Sequence, residues 1–515
     1  MPCQPHGFDG SAARWLASCG LGIASAGCLS HEAHQPLPEP LAPASFAERT
    51  ILSELIPERM TPRTSAGSRD EGGEGDTRVG PAGAAPGPGM EGRAGGDEPG
   101  DVRTLDLAQA LAIGGANSLQ VALARQELAE AHARLDQAEV LWLPNLWAGV
   151  GYDKHEGALQ ETEGNILQVS RNSGFVGGGI LASFELADAM LEPRSARHGV
   201  DAASAGVTSS VNDALLAIAL AYNDLLGAQA GLTLARENVS LAEELVELAE
   251  AFSRSGQGLE ADAARARNEL AHRRRLAVAR EQSIETQSAR LATLLRLDPR
   301  HPLRAGEPRL VPFALMREDV DLDGLVGLAM EARPEIRSLT AVVMAEEASE
   351  RQEGLRPFLP RLLLGLRGGG LGGGTGSDFE QLGDEGELTA ALIWGVRNLG
   401  FGESAVRRRE AARTRRAMVR LEMARDSVAE EVTVAWLQAR EGRRQVELAV
   451  VNVAESLDSL DLNMRRIRGA EGLPIEALQA IQAAATARDA YLDAVGGFNR
   501  SQFLLLRAVG RAARP

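Results

Sequence analysis

The chain has 515 residues, with 54 basic against 71 acidic side chains and a formal net charge of −17, a balance that disfavours nucleic-acid partners. All three cysteines lie near the start, at Cys3, Cys19 and Cys28, so a mature chain beginning at Cys28 holds no disulfide and no cysteine metal site. The eight histidines form no HExxH pair or other metal spacing and no P-loop is present, so the reading names no catalytic, cofactor or metal residue and no enzyme.

In chain order, residues 1–28 read as a lipoprotein signal peptide. Arg14 precedes a modest apolar core, Trp15–Ala24, and Ser25-Ala26-Gly27-Cys28 resembles a lipoprotein cleavage site with Cys28 as the acylated residue. A misassigned start codon with chance cysteines is the alternative. Residues 29–101 read as a tether: Thr61–Gly100 holds 12 Gly and 5 Pro in 40 residues, too little apolar surface to offset the entropy of ordering.

From residue 102 the sequence states one pattern twice. A helical stretch from Leu105 to Val140 runs into Trp142-Leu143-Pro144, and another from Leu322 to Leu355 runs into Phe358-Leu359-Pro360, the two prolines being 216 positions apart. Ala221-Tyr222 is matched by Ala435-Trp436, and Gly258-Leu259 by Gly472-Leu473, each 214 positions on. Each copy predicts helix, strand, loop, strand, very long helix, tight turn and returning helix. The first repeat spans 102–297, a connector with four prolines spans 298–320, and the second repeat spans 321–511. Leu146–Tyr152, Phe175–Leu186, Leu362–Arg367 and Leu388–Val396 are the expected strands. Asp153–Gly174 and Gly368–Glu387 are expected as polar, glycine-rich external loops. The glycine run 368–376 is read as loop in preference to a dinucleotide-binding turn.

No proline stands between Pro193 and Pro299 or between Pro360 and Pro474, which leaves room for long helices. A helix over Arg194–Ser255 would reach roughly 90 Å at 1.5 Å per residue. Val446, Val450, Val453, Leu457, Leu460, Met464 and Ile467 step by 4 and 3 in alternation, a heptad seam. Leu215, Ile218, Tyr222 and Leu225 follow the same rule, and Leu241, Leu245, Leu248 and Phe252 resume it in a shifted register. The arginine-rich clusters His272–Arg275 and Arg407–Arg409 read as solvated faces or inter-helix ion pairs. Trp142, Trp147, Tyr152, Phe175, Phe184, Trp394 and Phe401 gather near the strands, as an aromatic girdle or as the filling of a soluble core. No run of 18 apolar residues occurs in the body of the chain, which argues against a helical membrane span.

With its two Leu-Pro strand openings, Ala221-Tyr222-Asn223-Asp224-Leu225-Leu226, Arg397-Asn398-Leu399-Gly400-Phe401-Gly402 and two Gly-Leu turns, the chain resembles the TolC-like outer-membrane efflux proteins. The resemblance implies a mostly α fold with a transmembrane β-barrel: a homotrimer in which duplicated helical hairpins form an α-barrel and each protomer gives four strands to one twelve-stranded β-barrel. It implies a passive exit duct in the outer membrane, in contact with membrane lipid and with its helical tunnel in the periplasm, working with a periplasmic adaptor and an inner-membrane pump. It also implies adaptor docking at the hairpin tips, Gly256, Gly258, Leu259, Gly469, Gly472 and Leu473, and a periplasmic gate at Glu476 and Gln479. Of those two gate positions only Glu476 is acidic. A periplasmic coiled-coil scaffold without a pore is the alternative.

Overall fold

The computed structural model describes residues 102–143, 145–316, 321–376, 378, 381–469 and 471–512. The expected signal peptide with Cys28, the tether 29–101, Pro144 and residues 317–320 of the connector lie outside the described residues.

A short strand β1 (Arg103–Leu105) leads into helix α1 (Leu107–Asn117) through a capping box: the Asp106 carboxylate accepts from the Gln109 N–H at 2.6 Å, and the Gln109 side chain accepts from the Asp106 N–H. The single helix expected over Leu105–Val140 is two. Ser118 is extended and caps the start of α2 (Leu119–Glu139). The second repeat breaks at the corresponding place. There α5 (Leu322–Ala332) stops at Arg333, which is forced out of helical geometry (ψ 122°) by the proline that opens α6 (Pro334–Leu355).

Strands β2 (Asn145–Gln160), β3 (Ile166–Glu185), β5 (Arg361–Thr375) and β6 (Gln381–Ile393) form one antiparallel sheet in the order β2-β3-β5-β6. They are far longer than expected, and most of the two predicted loops is strand. The first turn shrinks to residues 161–165, and the 368–376 glycine run pairs on both sides, with Val176 and with Asp384 both facing Gly370. Cross-strand hydrogen bonding and close approach decide these segments, and glycine's low strand propensity does not. A Cβ at Gly177 or at Gly369 would stand 2.4 Å from a carbonyl oxygen of the neighbouring strand.

The long helices are α3 (Leu186–Arg254, 69 residues) and α7 (Phe401–Arg468, 68 residues), each roughly 100 Å at 1.5 Å per residue. Helix α3 begins before Pro193 and runs through it. The proline lies in its second turn and is buried, so packing offsets the lost hydrogen bond. Returning helices α4 (Glu260–Leu294) and α8 (Pro474–Ala508) complete the two hairpins. Both predicted seams are inside: Leu245, Ala249, Leu460, Met464, Ile467 and Ile481 share one core where the four helices meet. Two stretches, Leu107–Trp142 and Leu186–Arg254, contain windows of mean hydropathy 1.3, apolar enough to cross a membrane. The first is interrupted at Ser118, and the second packs on α2, α4, α6 and α8.

Midway along the helices the connector is strapped in place. Strand β4 (Leu303–Ala305) pairs parallel with β1. The Tyr222 hydroxyl donates to the Leu105 carbonyl at 2.9 Å and accepts from the Gly306 N–H at 3.2 Å. Asn223 donates to the Gly496 carbonyl at 3.2 Å and Asp224 pairs with Arg500 at 2.5 Å, so the Tyr-Asn-Asp run serves architecture. On the other side Arg333, 2% exposed, pairs with Glu431, and Arg507 pairs with Asp213, Glu335 and Glu431 at 2.7 to 3.0 Å. Burial alone would lower the Arg507 pKa, but the three acids around it raise it. The arginine clusters behave as expected of ion pairs: Arg274 reaches Glu243 across the first hairpin at 2.8 Å, and Arg409 meets Glu410 at 2.7 Å.

Candidate functional site

The sheet has two chemically different faces. Directly paired residues share a face, and every pairing in the sheet joins even to even and odd to odd positions. On the even face Leu146, Val150, Val176, Ile180, Leu366, Leu388 and Leu392 stand out from the strands, with Val150 80% and Leu388 78% exposed. The odd face holds Asp153, His155, Arg171, Arg367, Glu385 and Glu387 among glycines such as Gly149, Gly151, Gly177, Gly179 and Gly369, with Trp147, Phe175, Leu181 and Leu371 between them. Arg367 pairs with Glu385 at 2.5 Å and Glu387 at 2.9 Å and lies over the Phe175 ring at 5.4 Å. An exposed apolar face on this scale marks a surface built for a medium other than water.

Length fits the same medium. From Gly174 to Phe184 the strand rises roughly 33 Å at about 3.3 Å per residue, which a tilt of about 40° converts to the ~25 Å apolar band of a membrane barrel. Beyond Tyr152 the even positions turn polar, with Lys154 and Glu156 paired at 2.6 Å. At the opposite margin the aromatics collect: Trp142 and Phe184 lie 6.3 Å apart, and Trp394, Phe401 and Phe358 are exposed. Phe358 is the repeat counterpart of Trp142. Trp147 and Phe175 are the exceptions among the expected girdle residues, since both lie on the odd face. The exit from β6 carries three consecutive left-handed residues, Asn398, Leu399 and Gly400, which place Leu399 93% exposed at this margin.

At the far ends of the hairpins the two turns repeat one geometry. Gln257 and Gly258 both donate their N–H to the Phe252 carbonyl, as Glu471 and Gly472 do to that of Arg466, at 2.9 to 3.1 Å. A Cβ on Gly258 would meet Phe252 at 2.9 Å and one on Gly472 would meet Arg466 at 3.1 Å, so the close crossing requires glycine. Gly256 takes φ +76°. Gly469 caps α7 through its N–H to the Arg465 carbonyl at 2.9 Å. Leu259 and Leu473 follow as exposed side chains at both tips. Glu476 is half-buried. Its carboxylate pairs with Arg466 at 3.1 Å and accepts from the Leu473 N–H at 3.4 Å, while Gln479 is exposed one turn on.

One surface was missed in the sequence. On α7 Val419, Met423, Val434, Leu437, Leu448, Val451 and Leu462 are exposed and recur by 4, 11, 3, 11, 3 and 11, a second apolar stripe opposite the buried seam. The spacing was legible, but the seam at Val446–Ile467 drew attention to the other face.

Residues 110–295 match the outer membrane efflux protein family. No curated protein sequence gives a match. Among solved structures the chain is similar to the outer-membrane channel OprN, at 21% identity over 79% of this chain and 91% of that one, with a TM-score of 0.68. It is similar to VceC from Vibrio cholerae at 16% identity, 79% and 96% coverage and a TM-score of 0.66. The open state of MtrE from Neisseria gonorrhoeae gives 18%, 79% and 89%, and 0.65. The family match is confined to residues 110–295, and the fold of the chain is that of these outer-membrane channels.

Proposed function

We propose that the chain is the outer-membrane exit duct of a tripartite efflux or secretion system, a passive conduit coupled to a periplasmic adaptor and an inner-membrane pump. One observation carries the reading: an open-edged sheet with an apolar even face is joined directly to paired helices of roughly 100 Å. Strand edges left unpaired are untenable in lipid, so β2 and β6 must be satisfied by other copies. Three copies give twelve strands, the homotrimer expected from the resemblance. A scaffold without a pore leaves the apolar face without purpose.

Residues 102–297 and 321–511 act as the two repeats around the connector 298–320. Residues 1–28 direct export, Cys28 carries acyl chains, and 29–101 link that anchor to the channel. The tips at Gly256–Leu259 and Gly469–Leu473 receive the adaptor, and Glu476 with Gln479 borders the periplasmic entrance.

Full-length protein reconstituted in planar bilayers should give trimer-sized conductance and heat-modifiable migration in gels. A water-soluble particle without channel activity would overturn the duct. Labelling with radioactive palmitate should mark the wild type and be lost in Cys28→Ser; an unmodified Cys28 would remove the anchor and leave the channel standing.

A further inference from the structure

Building on the trimer reading above, we propose that the α7 face bearing Arg409 and Arg416 seats on the α2 face bearing Ala122, Ala129, Glu130 and Ala133 of a second copy of this chain. Near the sheet the helices lie side by side in the order α2, α3, α6, α7, so α2 and α7 are the edges of the helical layer just as β2 and β6 are those of the sheet. The duplication then supplies the missing contact. Helix α7 is the counterpart of α3, 214 positions on, and α2 is the counterpart of α6, 216 positions back.

Inside the chain α3 meets α6 through small side chains. The Ser195 and Ser349 hydroxyls are 3.1 Å apart, and the Ser338 hydroxyl donates to the Ala202 carbonyl at 3.0 Å. Shifted by one repeat, the first contact sets Arg409 opposite Ala133 and the second sets Arg416 opposite Ala122. Ala122, Ala129 and Ala133 are exposed, which leaves room for a guanidinium where the chain's own interface has serine. Next to Ala129 and one turn from Ala133, Glu130 stands exposed as a counter-charge to Arg409. In the single chain Glu130 pairs only with Arg134 on its own helix, Arg409 only with the adjacent Glu410, and Arg416 has no ion pair among the described residues. The apolar stripe through Val419 and Met423 continues the same α7 face, and exposed Leu119 continues that of α2. Charge, side-chain size and apolar surface thus agree on one register between copies.

The test is disulfide capture in the full chain. Ala133→Cys with Arg409→Cys should yield covalent dimers and trimers on mild oxidation, whereas either substitution alone should leave monomers in denaturing gels. Arg409→Glu should weaken assembly by roughly tenfold or more in the concentration at half dissociation, and Glu130→Arg in the same chain should restore it. Native mass spectrometry of the wild type separates the seating from the assembly. Trimers without the disulfide, and with Arg409→Glu neutral, would overturn this seating alone. Absence of a trimer would overturn the assembly and this seating together.

Discussion

The two long helices are built to one plan, yet they meet the solvent differently. Only Met190 among the large apolar side chains of α3 is exposed, whereas α7 exposes nine, from Phe401 to Leu462. Composition does not explain the contrast, since α3 is the more apolar of the two. Position does: α3 has neighbours on both flanks, α2 and α6 near the sheet and α4 and α8 beyond it, whereas α7 has them on one flank. A duplicated unit therefore acquires an inside copy and an edge copy, and the edge copy keeps a second apolar stripe that is exposed among the described residues.

The comparison can be broken most severely with proline. Leu460→Pro in α7 and Val246→Pro at the repeat-equivalent place in α3 each remove a helical hydrogen bond and should cost about 3 kcal/mol or more, with loss of protease resistance across the hairpin. An intact protease pattern in either variant would disprove a continuous helix there. The buried arginine is a second target: Arg333→Ala leaves Glu431 with Arg507 alone and empties a buried site, and should destabilise the fold by about 1–3 kcal/mol in chemical denaturation, with a wild-type midpoint as the contrary result.

The contrast itself is sharpened by a pair of truncations. Leu225→Ala, at a fully buried α3 position, should cost about 2–5 kcal/mol in any assembly state. Leu460→Ala, buried in the lower core, should behave likewise at about 2–4 kcal/mol. Val434→Ala on the exposed α7 stripe should leave the isolated chain within about 0.5 kcal/mol and show its effect only in trimer dissociation. Equal losses for Leu225 and Val434 in the monomer would erase the distinction between inside and edge.

Acid dependence distinguishes the two helix starts. Burial would raise the Asp188 pKa, but hydrogen bonds from Gln352 and Arg356 outweigh it and hold the carboxyl below its ordinary value. Its contribution is therefore complete above the unfolded carboxylate pKa of about 4 and is lost as pH falls through the lower folded value. Asp188→Asn should lower the thermal midpoint at pH 7 and flatten its decline below pH 4; the repeat counterpart is Gly402, which has no side chain to titrate. An unchanged acid limb would show that the pair contributes nothing. The smallest effect is expected at the tip. Glu476→Gln removes an exposed ion pair and a weak cap, about 1 kcal/mol or less. Only single-channel recordings of cation preference would then reveal a role at the entrance. Unchanged selectivity there would leave Glu476 as a helix-start residue.

The helices were legible because periodicity survives in a single chain: the Val446–Ile467 seam is buried as its spacing requires, and the two Gly-Leu turns fall where the repeat puts them. The strands were half legible. Their apolar ends stood out, but Gly368–Gly374 and Ser170–Gly174 carry no alternation, because their strand state is imposed by partners across the sheet and by close backbone approach. The helix break at Arg333 was signalled by Pro334, whereas Ser118 is an ordinary residue until its side chain is seen capping α2. What Tyr222 does could not be read at all, since its partners, Leu105, Gly306 and Glu307, are 117, 84 and 85 positions away.

The odd face of the sheet has a meaning of its own once it is considered as a wall. Its glycines are floors for rings: Phe175 covers Gly177 and Gly369, and Trp147 covers Gly179, with the Arg367 guanidinium stacked in turn on Phe175. Any side chain larger than hydrogen at those glycines would lift the rings off the sheet. In the duct proposed above, such a wall would offer a passing molecule aromatic faces and one charged cluster, Arg367 with its two acids.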